Sequence, residues 1–263
     1  MIFSKFISLD YPYKNGKYPP FLDWNKKYNK RFKEILTNWE LYAPSFEKLN
    51  DIDECGYSVQ GKLPYETMDK IRGLKGGDTQ NKNFKKDIFI CSFSHKFDEN
   101  DMCENLLWAH YASNFCGVRI DFKIDNTKIN NGDIIAKKDI EYTDNPTIYQ
   151  AHEIENIQNT NNETLIEIMT TKSKCWEYER EHRIILTKNK IPIKIKEITL
   201  GKRFARKNYF ERNANEIVES HINAIAMQIK CYLQEYLNKN QNIEMPKIYA
   251  YTTIYSPNKK EIA

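Results

Sequence analysis

The 263-residue chain has no C-x-x-C pair, and the spacing of its six cysteines (Cys55, Cys91, Cys103, Cys116, Cys175 and Cys231) fits no zinc ligand set. No apolar run approaches the roughly 20 residues that cross a bilayer. Met1-Ile2-Phe3-Ser4-Lys5 lacks the apolar region and cleavage site of a secretory signal. A cytoplasmic protein with reduced thiols and no membrane partner is therefore expected. An excess of one charge is also missing. The 40 basic and 36 acidic residues are interspersed and sum to +4, which supplies no basic stripe for nucleic acid. With only nine glycines, no G-x-G-x-x-G, P-loop, H-E-x-x-H or G-x-S-x-G occurs, and Gly73 to Gly77 lacks phosphate-loop spacing. His95, His110, His152, His182 and His221 form no tight pair in sequence, so no metal site is expected.

What is present is core material. Hydrophobic residues make up 40% and aromatics 13% of the chain, far above a disordered composition. Strands are expected over 2–9, 39–43, 88–93, 117–122, 182–186, 193–200 and 248–254, with a strand pair at 134–137 and 140–142. Helices are expected over 22–38, 105–112, 146–170 (broken around Asn159–Asn162) and 208–238. The last has an apolar face of Phe210, Ile217, His221, Ile225, Ile229 and Leu233. Residues 62–87 read as a mobile loop. Strands and helices alternate without a βαβ repeat, which predicts an α+β fold: a mixed, split β-sheet core flanked by helices. One domain over 1–263 is expected, with a motif-bearing core at 2–205 followed by a long helix and a final strand.

Three constellations carry potential chemistry. In Trp176-Glu177-Tyr178-Glu179-Arg180-Glu181-His182-Arg183, strand alternation would put three glutamates and Arg183 on one face, where their charges split the carboxyl pKa values. A helical start would instead pair Glu179 with Arg183. The bland reading is a solvated, salt-bridged edge. Leu107-Trp108-Ala109-His110-Tyr111-Ala112 precedes Gly117-Val118-Arg119-Ile120-Asp121-Phe122. There His110 is an acid, base or phosphate donor and the aromatics stack on a planar ring, or the segment is a core helix with a buried histidine. Leu41-Tyr42-Ala43-Pro44 with Asn50-Asp51 caps a turn or reaches a ligand.

In this order the three constellations resemble a bacterial family, the one numbered twenty-nine seventy-one among the domains of unknown function. The matching residues are Ser8-Leu9, Leu41-Tyr42-Ala43-Pro44, Asn50-Asp51, Cys91-Ser92-Phe93-Ser94, Trp108-Ala109-His110-Tyr111-Ala112 with Gly117, Trp176 with Glu179, Glu181 and Arg183, and Leu200-Gly201. They are spread over about residues 2–205. A more distant resemblance is to the ADP-ribosyltransferase fold. It implies that NAD is the substrate and that Glu181, aided by Glu179, faces the developing oxocarbenium charge. It also implies that Lys5, Ser8, Tyr42, Asn50, Trp108, His110, Tyr111 and Arg183 bind the nucleotide. Ile7 stands where that resemblance expects an arginine, so Arg183 or His110 would have to grip the phosphates. The implied partners are a nucleotide ligand, a protein or nucleic-acid acceptor and an antitoxin-type protein, as in toxins and antiviral effectors. The alternative reading is a non-catalytic nucleotide-binding or phage-component sensor module, and a metal-dependent nuclease ranks third.

Overall fold

The computed structural model describes residues 1–10, 22–48, 57–60, 87–98, 101–145, 147–155, 163–205, 214–241, 243–252 and 258–262. Asn50, all but the last residue of the expected 62–87 loop, and the expected break at Asn159–Asn162 lie outside them. In chain order the elements are β1 (Phe3–Ile7), α1 (Lys27–Asn38), β2 (Glu40–Tyr42), β3 (Tyr57–Gln60), β4 (Phe89–His95), α2 (Met102–Tyr111), β5 (Val118–Ile124), β6 (Ile134–Asp139), β7 (Glu141–Thr143), β8 (Thr147–Gln150), α3 (Ala151–Glu155), α4 (Glu163–Met169), β9 (Thr171–Ser173), β10 (Glu181–Leu186), β11 (Lys190–Leu200), α5 (Ala214–Leu237), β12 (Lys247–Tyr251) and β13 (Lys259–Glu261). The class is α+β, as the interspersed elements predict. The chain forms two compact units, one of Met1–Glu40, His95–Asp125 and Pro192–Ala263, the other of Leu41–Ser94 and Asn126–Ile191.

In the first unit the strand order is β13-β12-β11-β5-β1. The β5 pairings with β1 and β11 are antiparallel, β11 and β12 run parallel, and β13 returns antiparallel to β12. Alternation sorts the side chains. Ile120, Phe122, Ile198, Leu200 and Ile248 share one buried face, whereas Arg119, Asp121, Glu197, Tyr249 and Tyr251 share the other. The alternation over 117–122 is as expected, but the strand is buried on both faces, because its polar residues are buried as well. Gly117 and Gly201 sit where backbones meet: a Cβ would come 2.1 Å from Ile7 O and 2.2 Å from Phe115 O, so only hydrogen fits. Helix α1 packs on α5. Trp39 is not the first strand residue. It caps α1 in the left-handed conformation (φ 53°), and its ring lies flat on Tyr236 at 4.4 Å. Helix α1 also starts at Lys27, later than expected, after a turn at Trp24–Asn25.

In the second unit β10 runs antiparallel between β4 and β6. Ile88, Ile90, Ile154, Leu165, Met169 and Ile185 form its core. Two expectations are corrected here. β6 and β7 do not pair with each other, because Ile140 alone, between Asp139 and Glu141, is too short a link for the chain to reverse; β6 joins β10 while β7 runs parallel to β9. Thr147–Gln150 is a strand on β3, not the start of a helix. Its β-branched and aromatic residues alternate, with Tyr149 buried and Ile148 exposed.

Candidate functional site

Each unit holds a buried ionic cluster. In the first, Arg119 and Asp121 lie two apart on β5 and so face the same way. Ser4, opposite Asp121 on β1, donates its hydroxyl to Asp121 Oδ1 at 2.7 Å. Arg119 donates from Nη2 to Asp121 Oδ2 at 3.1 Å and from Nη1 to Glu104 Oε1. Its Nε lies 3.0 Å from Asp121 Oδ1 without hydrogen-bond alignment, so that contact is ionic only. Glu104 accepts a further bond at 2.8 Å from the indole of Trp108, one helical turn along α2.

Glu197 reaches this cluster through a β-bulge. Ile195 pairs with Phe122, yet Glu197 pairs with Asp121, so one extra residue re-aims its carboxylate onto the Arg119 face. Two carboxylates on neighbouring strands would repel. Lys96 bridges them, its Nζ 3.0 Å from Glu197 Oε2 and 3.3 Å from Asp121 Oδ2. Burial works against charge on Lys96, but Asp121 and Glu197 outweigh it and raise its pKa.

Over this cluster opens a cleft of about 410 Å³, lined also by Phe97, Asp98, Tyr249, Tyr251, Asn258 and Lys259. That size is ordinary for a small-molecule site. Lys259 lies directly across from Tyr251 in the β12–β13 register, and its ammonium packs over the Tyr249 ring, 4.8 Å from the centroid. Burial, and then the Arg119 guanidinium, lower the Lys259 pKa; Glu197 and Asp121 pull the other way without overcoming them. Burial, and then the Glu104 carboxylate, push the Tyr251 phenol up to about 12, so it remains a hydrogen-bond donor at neutral pH. The lining thus offers cations, carboxylates and aromatic rings together, which suits a ligand with anionic, hydroxyl-bearing and planar parts.

The second cluster is built from the Trp176–Arg183 string. Lys174–Glu179 is a 3-10 turn, Arg180 is left-handed (φ 43°), and β10 starts at Glu181. Glu181 and Arg183 therefore share a strand face, while Glu179 comes from the turn. Arg183, with 0% exposure, donates to Glu181 Oε1 at 2.7 Å and to Met169 O, the last carbonyl of α4, at 2.6 Å. Lys172 donates to Glu179 at 2.8 Å and to Glu181 at 3.1 Å, and its ammonium lies 4.9 Å from the centre of the Trp176 ring. Burial alone would push the Glu181 carboxyl up. Arg183, assisted by Lys172 and Ser92, holds it at about 2 instead. The Tyr142 hydroxyl accepts the Glu181 N–H at 2.8 Å. Glu177 is exposed.

A depressed carboxyl pKa sets the sign of an acid effect. Glu181 contributes stability that is complete above its unfolded value of about 4.5 and is lost as pH falls toward about 2, a difference of roughly 3 kcal/mol. Urea midpoints of wild type are expected to fall across this window. In Glu181→Gln the fall is expected to be clearly smaller.

The structure thus joins Glu179, Glu181 and Arg183 as expected, adding Lys172. The neighbours of the other expected residues differ from the sequence reading. Trp108 is fully buried, with an edge-on contact to Phe6 at 5.2 Å, so it positions Glu104 and offers no face for a planar ring. Arg183 is spent on Glu181 and Met169 and does not reach out as a phosphate clamp. Ser8 donates its hydroxyl to Tyr111 O at 3.1 Å. His110 and Tyr111 are exposed neighbours on α2, Lys5 is half-buried on β1, and Tyr42 is exposed on β2.

Sequence reasoning missed Lys96, Glu197, Lys259 and Lys172. The signal for Glu197 is present: the apolar alternation Ile191, Ile193, Ile195 skips to Ile198 over Lys196-Glu197, the mark of a bulge. A family model described as Protein of unknown function (DUF2971) matches residues 107–184. No curated protein and no solved structure matches the chain. The matched stretch takes in Trp108, Arg119, Asp121 and, from the second cluster, Lys172, Glu179, Glu181 and Arg183, but not Ser92, Lys96, Glu104, Glu197, Tyr249 or Lys259. Among the described residues no helix is long and apolar enough to cross a membrane.

Proposed function

We propose that the first unit is a nucleotide-binding module whose ligand occupies the cleft above Arg119. One observation carries this reading: Lys96, Arg119 and Lys259 converge with Tyr249 and Tyr251 on a single cleft of about 410 Å³. Phosphate is recognised by cations held in place. A base is recognised by aromatic side chains. Ribose hydroxyls and exocyclic amines are donors, and Glu197, Glu104 and Asn258 supply acceptors. Calorimetric titration with AMP, ADP-ribose and NAD tests it. Binding is expected below millimolar ligand, and Lys259→Glu, which reverses a lining charge, is expected to weaken it by at least about tenfold, the 1.4 kcal/mol that one lost charged contact commonly represents. Absence of heat with all three ligands would refute it.

A second reading, ADP-ribosyl transfer from NAD to a protein or nucleic-acid acceptor with an antitoxin-type partner, is favoured by one feature. Glu181 is held ionised, the state a carboxylate facing an oxocarbenium-like centre requires. It demands that Glu181 leave Arg183 and Lys172 to meet substrate. NAD turnover by wild type that disappears in Glu181→Gln would establish it; turnover kept in that variant would remove Glu181 from the chemistry.

A further inference from the structure

The three cations of the cleft are not equivalent. Arg119 is held by Asp121 and Glu104, and Lys96 by Asp121 and Glu197. Lys260 is held by Glu219 and Lys247 by Glu261, both outside the cleft. Lys259 differs from them all: among the described residues no carboxylate lies within 4.0 Å of its ammonium, whose neighbour is the face of Tyr249. An amine locked to a carboxylate stays protonated and inert. One that is half-buried beside a guanidinium, over an aromatic ring and facing an open cleft has its lone pair available more of the time.

We propose that Lys259 is a carbonyl-reactive amine and that the cleft takes an anionic aldehyde or ketone, which Lys259 captures as an imine. This rests on reading the cleft as a ligand site, not on the ligand being a nucleotide. In the capture step the Nζ lone pair forms a bond to the carbonyl carbon while the C=O π pair moves to oxygen. The carbinolamine then releases that oxygen as water together with both amine hydrogens, leaving C=N. No oxidant or reductant is consumed. The Arg119 guanidinium and the Lys96 ammonium border the space where the anionic part of such a ligand would lie, and the lowered pKa of Lys259 agrees with the assignment.

The test is reductive trapping of the whole chain. The protein is incubated near neutral pH with one equivalent of pyridoxal 5′-phosphate, an anionic aromatic aldehyde, and sodium borohydride is then added. Modified peptides are mapped by mass spectrometry. Lys259 is expected to be labelled first and several-fold faster than Lys260, its exposed chain neighbour. Lys259→Arg, which keeps the charge, is expected to lose that rapid label, whereas Lys260→Arg is expected to leave it in place. Labelling spread over surface lysines, with Lys259 no faster than Lys260, overturns the proposal. The outcomes separate from the nucleotide reading. AMP binding without rapid Lys259 labelling sinks only the amine, whereas rapid labelling without AMP binding sinks only the nucleotide.

Discussion

Replacing Arg183 by methionine is expected to destabilise the second unit by about 3–5 kcal/mol, the usual result of breaking a buried ion pair from one side. Glu179 and Glu181 are then left buried with Lys172 bonded to both, and the α4 carbonyl of Met169 loses the Arg183 donor. The loss arises from the stranded charge and not from the pair's own worth. Glu181→Met combined with Arg183→Met is therefore expected to recover most of the stability, with Lys172 and Glu179 still paired. Hydrogen exchange over 163–186, followed by mass spectrometry, reads this locally. The single variant should exchange roughly a hundred- to a few-thousand-fold faster, at about 1.4 kcal/mol per factor of ten. The double variant should fall close to wild type. A single variant with unchanged exchange would show that the cluster is not needed to hold α4 and β10.

Arg119→Met is expected to have a comparable effect in the first unit and to abolish ligand binding at the same time. Asp121 is 1% exposed and Glu104 8% exposed, so removal of the guanidinium leaves two buried carboxylates with Lys96 bonded to only one of them. A cost of about 3–5 kcal/mol follows on the same grounds. Lys259 also loses the cation beside it, so its pKa is expected to rise toward the ordinary lysine value. Thermal unfolding measures the first effect, and site-resolved amine reactivity against pH measures the second. A stable Arg119→Met protein that still binds nucleotide would place the ligand elsewhere.

The sequence showed much of the framework and little of the cleft, for one physical reason. Alternation and local charge are short-range properties. Gly117 to Phe122 announces a strand with Arg119 and Asp121 on one side, and Trp176 to Arg183 announces a charged motif. Both survive in the structure. What sequence distance hides is partnership. Lys172 closes the Trp176–Arg183 motif from a neighbouring strand that has no apolar pattern of its own. Glu197 and Lys259 meet Arg119 only because β11, β12 and β13 follow β5 in the sheet, and Lys96 joins them because its backbone N–H bonds to Ile2 O beside β1. The Glu197 contribution further depends on a bulge that reverses the face expected from Ile193 and Ile195. Trp108 was legible as important but not as to its role: its indole serves Glu104, and full burial removes it from any ligand. Thr147–Gln150 was misread because a short strand followed at once by a helix gives a mixed period.

The location of the ligand is tested most directly by fluorine NMR on protein carrying 3-fluorotyrosine, with the resonances of Tyr249 and Tyr251 assigned through tyrosine-to-phenylalanine variants. Addition of AMP is expected to shift those two resonances in a saturable manner while exposed Tyr42 and Tyr28 stay in place. Shifts confined to other tyrosines, or none at saturating nucleotide, would contradict the assignment of the cleft above Arg119 as the binding site.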